Sequence, residues 1–392
     1  MLEKRFFGMI MLIVGFILLF ALSGCDFLTG DKDDKDDSGD LFTVKSADGW
    51  NNAIKAIKQG GDNKEYTITV TGNFSVPGSN YSPTFGYNSG ITVTLKGSGT
   101  ISLSSSGHLL DISVDHTVIV KDLTLRGFSG SGSVVDSGGN FRMEGSASVT
   151  GNTGTGVIIG GGTFTMQDNA SITNNTSTSL GGGVALLQGT FIMKDNASVS
   201  GNTLTGYRGG GVRVDAGREA TSFIMQDNAS VSGNSGVGVS VEYGTFTMRD
   251  NASVTNNTAT NGGGVWVAAT FNMQGGTISG NSASDRGGGL FVSDSKRATF
   301  TMQGGTISGN SAGENGGGMY INGHPSSTTA NKTGGIIYGS DEGLNSNTAS
   351  SGKGHAVYYN RTASYNYFRN TTVGQDINLD FMGISTGFWE ND

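Results

Sequence analysis

One unit of this 392-residue chain recurs from Phe141 onward, and its period decides what the chain can fold into. Copies read FTMQDNASITNN from Phe164, FIMKDNASVSGN from Phe191, FIMQDNASVSGN from Phe223 and FTMRDNASVTNN from Phe246. Later copies read FNMQGGTISGN from Phe271 and FTMQGGTISGN from Phe300. The leading Phe returns in steps of 23 to 32 residues. A unit of that length cannot bury its own apolar face, so it must stack on its neighbours. Inside each unit the apolar residues alternate at period two: Phe164 and Met166 flank Thr165, Ala170 and Ile172 flank Ser171, and Val265 and Val267 flank Trp266. Three short strands per unit follow. The Gly- and Asn-rich corners between them leave no room for a crossover helix.

Such strands pair with their equivalents in the next unit at about 4.8 Å. The corners agree with this. DNAS in four units becomes the one-residue-shorter GGT in two others, with both flanks in register. A swap of Asp-Asn for Gly-Gly marks a turn that needs a positive φ. Asn152, Asn175, Asn202, Asn234, Asn257, Asn281 and Asn310 form a second column, expected to stack as side-chain amides bonded along the axis.

These features resemble the right-handed parallel β-helix of pectate-lyase-like proteins. The expected fold class is therefore all-β: a single-stranded right-handed parallel β-helix solenoid with three strands per coil. More narrowly, TISGNSASDRGGGLFV and TISGNSAGENGGGMYI resemble the repeats of polymorphic outer-membrane proteins, which pair F-x-x-N with G-G-A-I. This chain has I-S-G-N or V-T-N-N in place of the first motif and G-G-G-V in place of the second. That family's C-terminal autotransporter barrel has no counterpart, since only about 30 residues follow the last repeat.

Residues 1–24 read as a signal peptide: Lys4 and Arg5 precede an apolar run that ends at Leu22-Ser23-Gly24-Cys25. The tetrad LSGC resembles the bacterial lipobox, which implies lipidation of Cys25. As the only cysteine, Cys25 can form no internal disulfide. Residues 25–40 hold GDKDDKDDSGD, an acidic tether too polar to collapse. A cap with a short helix is expected over 41–64, with Ser46 or Asp48 at its start and Trp50, Ile54 and Ile57 on one face. Less regular first coils follow over 65–140, regular repeats over 141–360, and a C-terminal cap over 361–392 that carries Phe381, Phe388 and Trp389.

The expected address is the bacterial cell envelope, through the N-terminal lipid. Outer membrane or cell surface is favoured, although Asp26 after the cysteine is the inner-membrane signal of enteric bacteria. A net charge of −8 argues against nucleic acid as a partner.

The sequence offers little catalytic signal. The N-T-D, D-D, G-H-G and R-I-K motifs of β-helix hydrolases do not occur in the coils, and no cofactor is expected. His108, His116, His324 and His355 lack metal-ligand spacing and read as corner or surface residues. Asp168, Asp195, Asp227 and Asp250 share one corner of four successive coils. Each is expected to bond its own turn, the alternative being a row of weak cation sites. The Ser/Thr pairs such as Ser171/Thr173 read as a solvent-facing surface.

One outward file differs from the rest. Trp266, Phe291, Tyr320 and Tyr358 occupy the position that earlier coils fill with Ala185, Arg213 and Ser240. Enlarged turns at 215–222, 293–299 and 322–332 should form a lip beside it. Two readings follow. The file is an exposed platform for a polysaccharide or a surface protein, or the loops or the tail fold over it and make a satellite core. The expected function is an adhesin-like or glycan-binding role without catalysis; the alternative is a polysaccharide lyase or glycoside hydrolase with an atypical site.

Overall fold

The computed structural model describes residues 40–361, except 81, 131, 206–208, 216, 218–220, 324–327, 341–342 and 352–353, together with 387–389. The segment read as a signal peptide, Cys25, most of the segment read as a tether, His324 and Phe381 lie outside the described residues.

The chain winds into a right-handed parallel β-solenoid of about 11 turns. Three long sheets run its length. The first has 12 strands, from Leu41–Val44 to Thr329–Lys332, and holds the Phe-x-Met strands. The second has 11, from Asn73–Val76 to Ile336–Ile337. The third, also 11-stranded, begins at Leu110–Ile112, reaches Val357–Arg361 and ends on Gly387–Trp389. That last strand pairs antiparallel, Tyr358 opposite Phe388, and so closes the growing edge of this sheet.

The period-two pattern is what fills the interior. Phe164, Phe191, Phe223 and Phe246 stack face to face at 4.7 to 4.9 Å between ring centroids and are fully buried. Strand spacing and ring-stacking distance nearly coincide, so one aromatic per coil stacks without strain. The stack extends from Phe141 to Phe300 and stops where Ala330 pairs with Phe300. Residues 65–140, expected to be less regular, pair in the same unbroken register: Thr92 with Thr117, and Thr117 with Asn140.

The Asn column is a continuous buried ladder. The backbone N–H and Nδ2 of Asn234 both donate to Asn257 Oδ1, at 3.0 and 2.9 Å, while Nδ2 also donates to the Val199 carbonyl. The pattern repeats from coil to coil and ends at Asn347, which accepts from Asn310. The ladder supplies the donors and acceptors that a buried corner would otherwise leave unpaired.

At the Asp corner the residues do have positive φ, 54° to 56° at Asp168, Asp195, Asp227 and Asp250. Beyond side-chain contacts of Asp227 with Gln226 and of Asp250 with Arg249, their carboxylates reach across to the preceding coil. The backbone N–H of Asp168 donates to Asp195 Oδ2, that of Asp195 to Asp227, and that of Asp227 to Asp250, at 3.2 to 3.3 Å. Each charge is thus held by a peptide dipole of the preceding coil, which offsets the repulsion along the file. Among the described residues no group of three His, Cys, Asp or Glu side chains comes together to hold a metal.

The N-terminal helix covers Ala47–Gln59, with Ser46 as its N-cap accepting from Gly49 N–H. Trp50 and Ile57 are buried as expected, and Ile54 partly so. His116 lies at the corner between Leu110–Ile112 and Thr117–Lys121 and is buried there, with Nε2 2.9 Å from the Asn88 carbonyl, and burial lowers its pKa.

Candidate functional site

The outward file of the third sheet has the register read from the sequence: Ser240 beside Trp266, then Phe291, Tyr320 and Tyr358. Phe291, Tyr320 and Tyr358 stack at 5.1 and 5.2 Å. The file is not an exposed platform, however. Trp266 is 6% exposed, Phe291 8% and Tyr320 2%; Tyr358 is partly buried.

Between their second and third strands most of the regular coils send out a short excursion. Strands Thr258–Asn261, Ser282–Arg286, Ser311–Ala312 and Thr348–Ala349 pair there as a small fourth sheet. Ala259, Ala283, Ala312 and Ala349 lie in one column of this flange, and Ala259 packs against the ring cluster. Arg286 adds a guanidinium 5.5 Å from the Tyr320 ring centre and is bonded to Glu314 at 2.9 Å. The Gly triplets let the chain return beneath the flange. Gly262 has φ +64°, and a Cβ there would lie 3.1 Å from the Cβ atoms of both Trp266 and Phe291.

Two coils lack the excursion, that of Asn152, where Val157 follows after four residues, and that of Asn234, which alone of the two stands between coils that have it. Asn257 reaches Val265 after seven residues, but Asn234 reaches Val239 after four: Ser235, Gly236, Val237 and Gly238. Ser235 only bridges Thr203 on one side and Thr258 on the other. Gly236, with φ +110°, runs so close to its neighbour that a Cβ would lie 2.9 Å from Gly210 Cα. The shortened coil leaves a notch in the flange, and the notch opens a groove of about 870 Å³ along the third sheet.

The groove has two banks and a floor. Leu204 and Thr205 stand at one end of the flange bank, with Thr258 to Asn261 and Ser284 at the other. Ser293, Asp294 and Asn322 form the opposite bank. Ser293 and Asp294 open the enlarged turn at 293–299, and Asn322 lies in the strand Met319–Gly323. Val237, Trp266 and Phe291 supply the apolar floor. Tyr320 and Tyr358 do not reach the groove; they continue the stack beneath the flange. A recess of about 250 Å³ adjoins it, sharing Trp266, Ser293 and Asp294 and adding Glu242, Tyr243 and Arg297. Arg297 lies 4.9 Å from the Tyr243 ring centre.

The flange is the part that sequence reasoning missed. Its signal is the Ser/Thr-x pair after each ladder Asn, as in Asn257-Thr258-Ala259 and Asn281-Ser282-Ala283, which keeps period two for one further step.

Far along the same outward file, Asp111 and Asp136 sit side by side. His108 Nε2 is 3.8 Å from Asp136 Oδ2, and its Nδ1 is 2.8 Å from Ser133 Oγ. Burial raises both carboxyl pKa values against the pull of His108, and for Asp136 the adjacent Asp111 raises it further. Both groups therefore hold a proton more readily folded than unfolded. Their contribution to stability is present below the unfolded value of 3.8 and is lost as pH rises through the folded values. Asp136→Asn should consequently raise the melting temperature at pH 8, with the gain shrinking towards pH 4. A gain that grew on acidification would contradict this sign.

No family model, curated protein or solved structure matches the chain.

Proposed function

We propose that this chain is a lipid-anchored protein of the bacterial cell envelope, held at the outer membrane or surface through Cys25. Its rigid solenoid binds a polysaccharide chain or a surface partner along the third-sheet groove and does not cleave it. The observation that carries this reading is the groove: an aromatic floor between two polar banks, opened by one shortened coil. Its volume falls within the range of roughly 300–1,000 Å³ typical of ligand sites. The acidic stretch from Gly30 to Asp40 would hold the folded part away from the lipid.

The test uses the full-length chain in a non-glycosidic detergent. It should partition with detergent and lose that behaviour on Cys25→Ser. It should be retained on at least one immobilised polysaccharide without releasing shortened or unsaturated product. Thr260→Trp with Ser284→Trp should fill the groove from exposed positions and cut retention at least about ten-fold, equivalent to roughly 1.4 kcal/mol. Product release would overturn the non-catalytic reading, and retention unchanged in the filled variant would remove the groove from it.

A further inference from the structure

We infer that the groove takes an uncharged, hydroxyl-rich polysaccharide and rejects polyuronates and sulfated chains. This rests on the binding reading above and narrows its ligand. Thr260, Ser284 and Ser293 offer hydroxyls, and Asn261 and Asn322 offer amides, around the apolar floor. All five groups both donate and accept, as sugar hydroxyls do. A carboxylate or sulfate only accepts, and would use half of what these side chains present.

Charge points the same way. Asp294 is the one ionised side chain among the described lining residues, and it is exposed. Arg286 is engaged with Glu314 and the Tyr320 ring, Arg297 lies over Tyr243 in the recess that Glu242 and Asp294 also line, and Lys296, exposed in the same turn as Asp294, is not among the lining residues. A polyanion would bring several charges beside Asp294 with no counter-charge in the lining, inside a chain of net charge −8. Like charges near 4 Å cost about 1 kcal/mol each even in water, and more where solvent is excluded. The floor meanwhile suits the C–H faces of pyranose rings, which an uncharged chain can press against Trp266 and Phe291 without desolvating an ion. The groove follows the stacking axis from the coil of Leu204 to that of Asn322, so the ligand lies across several coils as an extended chain.

The full-length chain, in the same detergent, is applied to two sets of immobilised polymers. One holds a neutral glucan, mannan, galactan and xylan; the other holds polygalacturonate, alginate and heparin. Retention is expected on at least one neutral polymer and on no acidic one. It should change less than about two-fold between about 0.05 and about 0.5 M salt, because no ion pair holds the ligand. Asp294→Lys combined with Ser284→Lys, both at exposed positions, should gain retention on polygalacturonate at low salt and lose it at high salt. Retention of the unmodified chain on an acidic polymer, abolished by Thr260→Trp with Ser284→Trp, would overturn the ligand class while leaving groove binding intact. No retention on any polymer would remove the polysaccharide-binding reading itself. A double-Lys variant that folds but gains nothing would overturn the charge argument.

Discussion

Replacing Asn257 with alanine is expected to cost several kcal/mol and to open the solenoid at its middle. Asn257 Oδ1 accepts from both the backbone N–H and Nδ2 of Asn234. Its Nδ2 donates to the Val231 carbonyl at 3.1 Å and to Asn281 Oδ1 at 3.0 Å. All of these groups belong to a fully buried corner, where water cannot replace the lost partner. Each orphaned buried group costs about 1–3 kcal/mol, and the substitution orphans at least two. Asn257→Asp separates the two halves of the effect. It keeps an acceptor for Asn234 but sets a second oxygen against the Val231 carbonyl and Asn281 Oδ1. A protonated carboxyl can restore one donor, so this variant should regain stability on acidification and lose it as pH rises. Denaturation midpoints across pH measure both. A loss below about 1 kcal/mol for the alanine variant would mean that the ladder is satisfied by relaxation rather than by the amides.

Phe246→Ala is the second large effect. The ring lies between Phe223 at 4.9 Å and Phe271 at 4.7 Å and is fully buried. Removing a buried Phe side chain costs about 3–5 kcal/mol, the higher values occurring where the cavity cannot collapse. Collapse is resisted here because strand pairing fixes the coil spacing on both sides. In a stacked-coil protein the damage should stay near its origin. Amide hydrogen exchange should accelerate in the coils of Phe223, Phe246 and Phe271 and change little near Phe141. Phe246→Leu should recover most of the protection. Uniform loss of protection along the whole chain would contradict nearest-neighbour stacking.

Much of the fold was legible because solenoid geometry repeats in sequence what it repeats in space. The Phe and Asn columns stand at the same place in every unit, so their stacking could be read without coordinates. The register of Ser240, Trp266, Phe291, Tyr320 and Tyr358 followed from the apolar residues that flank each of them. The helix at Ala47–Gln59 carried its own start and stop signals. What escaped had weaker local signatures. A flange strand such as Ser311–Ala312 is two residues long, too short and too polar to read as a strand, yet Ala259 of this sheet packs against the aromatic file. Asn347 belongs to the ladder, but the Phe-x-Met pair that marks each unit has become Ala330 and Lys332 by then. The Asp contacts run between residues 23 to 32 apart, and local turn chemistry pointed inward to each residue's own corner instead.

The corners have a consequence for how such a molecule changes over generations. Interior columns tolerate no insertion, because each ring and amide needs its partner at a fixed height. The excursions between the second and third strands carry no such demand: they run from four residues after Asn234 to nine after Asn202 while the strands on either side stay aligned. Recombination between near-identical repeats can therefore add, remove or exchange whole coils without disturbing the frame. The notch lies wherever the short coil happens to be. Moving that coil along the stack would move the groove with it, so the position of the groove along the solenoid becomes a variable that gene rearrangement can adjust in steps of about 4.8 Å.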